Sequence, residues 1–281
     1  IIISNGGVID DDRASRLAQY DPLFVQVTLN GPTRALHEEH VGPDCFDKTL
    51  AGIAALRRHG VPIAGCMVIT RKNAHATRDV LALFEQLGAR QIALSRFSPA
   101  GYAAGQLAEL LPSRSDVLTA LEQARPFGGR MRLQATMPIP QCVVDAAEFP
   151  EVQFSACPIG TPMQELALGP RGELRNCTLH TEEIGKVGER PLAELLESPA
   201  VTRYRDTTPE FCAPCPERHT CLGGCGAAAE RTVGAVLGTR GRPLDPFVAQ
   251  HTDDAFAAHL ASLRAVDPAA LVPAASLRRR P

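Results

Sequence analysis

Residues 48–70 read "KTLAGIAALRRHGVPIAGCMVIT", and this stretch holds one complete unit of the fold. Leu50, Ile53, Ala54 and Leu56 share a stripe at helical spacing, and Gly60 stops the pattern. A β-branched run over 62–70 follows and reads as a strand. The same alternation recurs on both sides. Upstream lie strand patterns at "IIIS" (1–4) and "LFVQVTL" (23–29). Downstream, "ATRDVLALFEQLGA" puts Val80, Leu81, Phe84 and Leu87 on one stripe before "RQIALSRF" (90–97). "SDVLTALEQARPFGG", with Ser115 as the expected N-cap and Gly128-Gly129 as the stop, precedes "RMRLQAT" (130–136). Strand–helix–strand repetition at this spacing implies a parallel sheet. Without a Gly-rich phosphate fingerprint, four or five such units suit an arc of a (β/α) barrel better than a dinucleotide fold.

In that architecture the chemistry lies at the C-terminal ends of the strands. The residues there are Asn5-Gly6-Gly7, Thr28 with Asn30-Gly31-Pro32, Thr70 with Asn73, and Arg96 with Pro99 through Gly101. Any one of them reads equally well as a turn residue. Arg96 lines a cavity or forms a surface ion pair. His37 and His40 in "LHEEH" stand at i, i+3, but the local frame reads as a loop, which argues against a metal pair.

The 281 residues are 44% apolar and 21% charged, an ordinary globular composition. A net charge of −2 gives no reason to expect nucleic acid, and the basic end Arg278-Arg279-Arg280 reads as a solvated tail. No apolar run approaches the roughly 18 residues of a membrane span and no signal peptide is visible, so a cytoplasmic location is expected.

From about residue 150 the pattern changes. "MQELALGPRGELRNCTL" (163–179) is a hairpin signal around Gly169–Gly172, and a short amphipathic helix is expected over 191–197. Of nine cysteines, six lie between 157 and 225. Their pattern is Cys157-x14-Gly172-x4-Cys177, then Cys212-x2-Cys215-x5-Cys221-x3-Cys225. Such clustering favours metal over disulfides. Structural zinc would use the last four thiols and leave Cys157 and Cys177 idle. Iron–sulfur clusters would use all six. The last 50 residues are weakly patterned, with a final helix expected near 253–264 and disorder beyond it.

Residues 157–230 resemble the SPASM domain of radical S-adenosylmethionine (SAM) enzymes, whose cysteine spacing they follow. "CLGGCGAAAE" (221–230) and "PLAELLESPAVTRYR" (191–205) are similar to peptide maturases related to the pyrroloquinoline quinone and sulfatase-maturing enzymes. "SNGG" (4–7), "VTLNGP" (27–32), "MVITRKN" (67–73) and "SRFSPAG" (95–101) resemble motifs of the barrel in the same proteins. The resemblance implies an incomplete radical SAM (β/α) partial barrel over 1–136 and a small cysteine-rich α+β SPASM domain over 137–230. A C-terminal helix and tail would fill 231–281. It also implies two auxiliary clusters of the 4Fe-4S kind, one on Cys157, Cys177 and Cys225 and the other on Cys212, Cys215 and Cys221. Cys142 would complete the first set or be a core thiol, and His219, Asp245 or His251 would stand in for a seventh SPASM cysteine, which does not follow Cys225. Thr28, Asn30, Asn73 and Arg96 are the expected SAM or substrate contacts.

The family's CxxxCxxC, which holds the SAM-cleaving cluster, does not occur in these residues, and Cys45 and Cys66 are too far apart to replace it. A chain opening at Ile1 within "IIIS" is expected to be the remainder of a longer enzyme lacking its first one or two βα units. As written it is not expected to cleave SAM. Thr178 after Cys177, where sulfatase-maturing enzymes carry an Asp, argues against that branch. The implied activity is hydrogen abstraction from a ribosomally made peptide by a 5′-deoxyadenosyl radical, with a reductant such as flavodoxin or ferredoxin. The alternatives are a non-catalytic iron–sulfur module for electron transfer or peptide binding, and a structural zinc protein.

Overall fold

A computed structural model of the chain describes residues 1–99, 101–237 and 241–265. Six strands form one sheet in sequential order: β1 (Ile2–Ser4), β2 (Val25–Thr28), β3 (Ile63–Ile69), β4 (Gln91–Arg96), β5 (Arg132–Ala135) and β6 (Val152–Phe154). Every neighbouring pair is parallel, with Val25 opposite Ile63 and Gly65 opposite Ile92. Helices Asp11–Ala18, Phe46–Arg58, Thr77–Gln86 and Arg114–Ala124 fall between the strands. The sheet is open, an arc with β1 and β6 at its edges. Central β3 is buried along nearly its whole length, as a strand covered on both faces must be. At its middle, a Cβ on Gly65 would press into the Phe84 ring and Ile92. Glycine there lets helix Thr77–Gln86 lie close to the sheet.

Four features depart from the sequence reading. Helix Arg114–Ala124 is capped by Ser113, not Ser115: Ser113 and Asp116 exchange side-chain and backbone hydrogen bonds in a capping box. The "LHEEH" stretch is helical, Arg34–Val41, capped by Thr33. The sheet continues past residue 136, since three-residue β6 pairs with β5. Beyond 231 the chain is no mere tail. Helices Gly226–Leu237, Pro246–Thr252 and Asp254–Ala265 send Val233, Phe247, Val248, Phe256 and Leu260 into the core beneath the sheet. The final helix agrees with expectation. Residues 266–281, including the basic end, lie outside the described residues.

A second, smaller lobe is built on the antiparallel strands β7 (Ala167–Leu168), β8 (Glu173–Arg175) and β9 (Glu183–Lys186). The hairpin β7–β8 turns where the sequence placed it, with Gly172 at φ +83°. Helices Leu192–Leu196 and Pro199–Asp206 follow, the first as expected and the second not. This lobe has its own apolar cluster of Ile159, Leu174, Ile184, Leu195, Val201, Tyr204 and Leu222. Among the described residues, no helix is long and apolar enough to cross a membrane.

Candidate metal centre

No cysteine is joined in a disulfide. Cys45 precedes helix Phe46–Arg58 and Cys66 is buried in β3, so both stand apart from the rest. The others form two groups.

Cys157 and Cys177 pack into the apolar cluster of the small lobe. Burial raises the Cys177 thiol, the amides of His180 and Leu179 hold it down, and nearby Cys157 raises it again. Cys225 completes this group. Burial pushes its thiol up to about 11, and Asp245 and, more weakly, Cys157 add to the rise. Its sulfur accepts from the Ala228 amide at 3.5 Å.

Cys212, Cys215 and Cys221 form the second group. Burial pushes the Cys212 thiol up to about 11, followed by the thiols of Cys221, Cys142 and Cys215. The Cys221 thiol is raised by burial and eased by the amides of Gly224 and Gly223. Both glycines have positive φ, +74° and +90°. A Cβ on Gly223 would strike Pro209, and one on Gly224 would strike the Asp245 carboxylate. Only glycine brings these amides around to the sulfur.

Cys142, which the sequence reading gives as a completion of the first set or a core thiol, lies beside the thiols of this second group. It sits in a turn closed by Val143 N–H donating to Pro140 O at 2.9 Å. Its residue surface is exposed while its sulfur is half-enclosed, raised first by burial and then by Cys221 and Cys215. Chain distance concealed this placement.

A buried ion pair ties the thiols to the sheet. Arg96, at the end of β4, donates through Nη2 to Asp245 Oδ2 at 2.6 Å, with both side chains wholly buried. The same oxygen accepts from the Cys225 amide at 2.7 Å, and Oδ1 accepts from Phe247 N at 2.8 Å. Arg96 also donates to Pro138 O at 3.0 Å and lies over the Phe247 ring. Ser98, just past β4, has its Oγ 4.0 Å from Cys225 Sγ. The first thiol group therefore sits at the C-terminal end of β4.

These bonds revise several expectations. Asp245 is a brace, its carboxylate spent on Arg96 and two amides, rather than a stand-in ligand. His251 Nε2 accepts from Arg114 N, and His219 Nε2 from Arg218 Nε. Arg96 is neither a surface ion-pair partner nor open to a cavity. Asn73, wholly buried, donates to Asn30 O and Val68 O at 2.9 Å and accepts from Thr70 N at 2.8 Å. Asn30 accepts from Val68 N at 3.0 Å, and its amide donates to His37 Nδ1. His40 Nε2 bonds Thr70 Oγ1, so the two histidines serve different neighbours and not one metal. Of the four expected SAM or substrate contacts, Thr28 alone keeps partial exposure. A cleft of about 510 Å³ lined by Gly128, Arg130, Arg132 and Glu151 opens at the N-terminal ends of β5 and β6, away from the thiols.

Two observations test whether this donor set fits an inorganic cluster. Among the described residues, no three His, Cys, Asp or Glu side chains converge as ligands of a single ion. A tetrahedral zinc needs four donors about 2.3 Å from one point. A cubane instead spreads its thiolates over separate irons. Second, Arg242 Nε and Nη2 are buried without hydrogen-bond partners, as is His180 Nε2, which has the Glu230 carboxylate 4.0 Å away. His180 and Arg242 flank Tyr204, whose hydroxyl is 3.6 Å from Cys157 Sγ. Idle donors beside thiols suit an anionic cluster.

No protein-family model matches the chain. A PqqA peptide cyclase of Streptomyces rochei is 26% identical over 245 residues, which are 85% of this chain and 66% of that protein. An AdoMet-dependent heme synthase of Nitratidesulfovibrio vulgaris is 26% identical over 246 residues, 82% of this chain and 66% of its own. The structure of native anSMEcpe with bound AdoMet and Kp18Cys peptide superposes with a TM-score of 0.63 at 15% identity, over 93% of this chain and 74% of that one. Streptococcus suis SuiB bound to precursor peptide SuiA gives 0.63 at 14% identity, over 87% and 57%. The resemblance is to radical SAM/SPASM peptide maturases. The α/β fold with its partial parallel barrel is shared with the solved neighbours. The chain spans 66% or less of the length of the curated relatives it matches.

Proposed function

We propose that this chain is the auxiliary-cluster-bearing portion of a radical SAM/SPASM enzyme that modifies a ribosomally made peptide. The observation that carries this reading is the Cys225–Asp245–Arg96 linkage, which fixes a thiol group at the C-terminal end of a parallel strand. That end of a (β/α) sheet is where bound substrates meet catalytic groups. Cys157, Cys177 and Cys225 hold one cluster. Cys212, Cys215 and Cys221 hold the other, with Cys142 as its fourth thiolate. In the whole enzyme, SAM cleaved reductively at a third cluster supplies the radical that abstracts hydrogen from the peptide. Held by these thiolates, auxiliary clusters would supply an electron acceptor or a ligand for the substrate, with potentials that burial and amide–sulfur hydrogen bonds would set.

Within this reading the chain's own residues have plain tasks. The amides of Leu179, His180, Gly223, Gly224 and Ala228 stabilise thiolates. Asn30, Asn73 and Arg96 hold the strand ends rigid beside the reacting space, and Thr28 remains the side chain placed for contact with SAM or peptide. The names of the relatives support a peptide substrate, and the length they have beyond this chain leaves room for the CxxxCxxC that these residues lack.

The test is the complete protein encoded with its upstream frame, reduced anaerobically with SAM and candidate precursor peptides. Formation of 5′-deoxyadenosine coupled to a mass change in the peptide supports the enzyme. An upstream frame without CxxxCxxC, together with clusters that cycle but never turn over SAM, would establish the electron-transfer module instead.

A further inference from the structure

Arg242 is held in an unusual way. Its Nη1 donates to Tyr204 O at 2.9 Å and Thr207 O at 3.1 Å, and its guanidinium lies 4.1 Å from the Tyr204 ring centroid. These contacts fix the plane of the group. Against it lies Gly226, the residue after Cys225, and a Cβ there would fall inside the guanidinium. Nε and Nη2 are buried without a partner, although the residue is only 9% exposed. No described carboxylate forms an ion pair with it. Its immediate surroundings are the Tyr204 ring, whose hydroxyl approaches Cys157, the backbone that leaves Cys225, and, on the other side, Cys212 of the second group, whose thiol its charge holds down.

A buried cation with two idle donors is unfavourable unless an anion rests against it. The amides and thiols around it cannot serve, but a thiolate-bound iron–sulfur cluster, which carries net negative charge, can. We infer that Arg242 is the counter-charge of the cluster held by Cys157, Cys177 and Cys225, donating Nε–H and Nη2–H to its sulfur atoms. This rests on the cluster assignment proposed above. A fixed positive charge and two hydrogen bonds stabilise the electron-rich reduced state, so Arg242 raises that cluster's reduction potential. Gly226 then has a defined role: it leaves room for the guanidinium.

The experiment uses the full 281-residue chain, reconstituted anaerobically with iron and sulfide, and follows reduction by EPR during a mediated potentiometric titration. Wild type is compared with Arg242→Gln, Arg242→Lys and Gly226→Ala. Arg242→Gln is expected to keep its iron and sulfide content and to move the midpoint of the cluster on Cys157, Cys177 and Cys225 to a more negative potential, with a smaller shift in the same direction for the cluster near Cys212. Arg242→Lys keeps the charge but loses the fork and should move it less. Gly226→Ala, which displaces the guanidinium without removing it, should shift the same cluster in the same direction. Variants that retain both clusters with unshifted midpoints would overturn the inference. If Arg242→Gln fails to fold, the lysine and Gly226 variants decide by the same criterion. Failure of the wild type to take up iron at all would count against the cluster assignment itself.

Discussion

Asp245 ties the Cys225 segment to the end of β4, because one carboxylate serves Arg96, the Cys225 amide and the Phe247 amide. Removing one partner of a buried pair leaves the other charge uncompensated. Asp245→Ala should therefore cost about 3–5 kcal/mol in urea denaturation and loosen the Cys225 segment. A cost under about 1 kcal/mol would mean that Arg96 finds another partner. Cys66 offers a separate handle far from the proposed ligands. Burial pushes its thiol up to about 11, with a smaller opposing effect from Thr28. Unfolded, the thiol titrates near about 8.5. Between these values the folded state holds the extra proton, so stability is full below about pH 8.5 and falls as pH rises toward 11. Thermal melts of Cys66→Ala should show a shallower alkaline decline than wild type. Equal slopes would show that Cys66 does not titrate as its burial requires.

At the level of elements, the parallel strands were legible because a buried β-branched run and an amphipathic helix have different periods, and five of the six strands stood out on that basis. β6 did not, since three residues, Val152–Phe154, give too few positions for a period to emerge. Helices Gly226–Leu237 and Pro246–Thr252 escaped notice because Ala-, Pro- and Arg-rich sequence hides core-facing positions as sparse as Val233, Phe247 and Val248, whereas the final helix was expected. The resemblance to the SPASM pattern implied a division of six thiols into two groups, yet it could not place Cys142, whose neighbours are set by a turn 70 residues away in sequence from Cys212. Nor could it show that Arg96 and Asp245, 149 residues apart, form a pair. The helix cap is a small test of the same kind. Ser113→Ala should destabilise by about 1 kcal/mol and Ser115→Ala by only a few tenths, measured by chemical denaturation. The opposite order would return the cap to Ser115.

For the molecule as a whole, the sheet's open edge and the thiol-lined lobe lead to different expectations. Ile1, just before β1, and Ile3 on β1 are exposed, and so is Leu23 just before β2. An apolar, unpaired strand edge invites pairing with another chain. This chain alone should self-associate with rising concentration in sedimentation velocity, and Ile3→Lys should reduce that tendency. A concentration-independent monomer would show that the edge is already shielded. The cluster assignment stands on the convergence of Cys157 and Cys177 from one stretch with Cys212–Cys225 from another. Its decisive measurement is the metal and acid-labile sulfide content of the chain after anaerobic reconstitution in the presence of both iron and zinc. Two cubanes predict about eight iron and about eight sulfide per chain, with visible charge-transfer absorption. One zinc per chain without sulfide, or no retained metal, would contradict it.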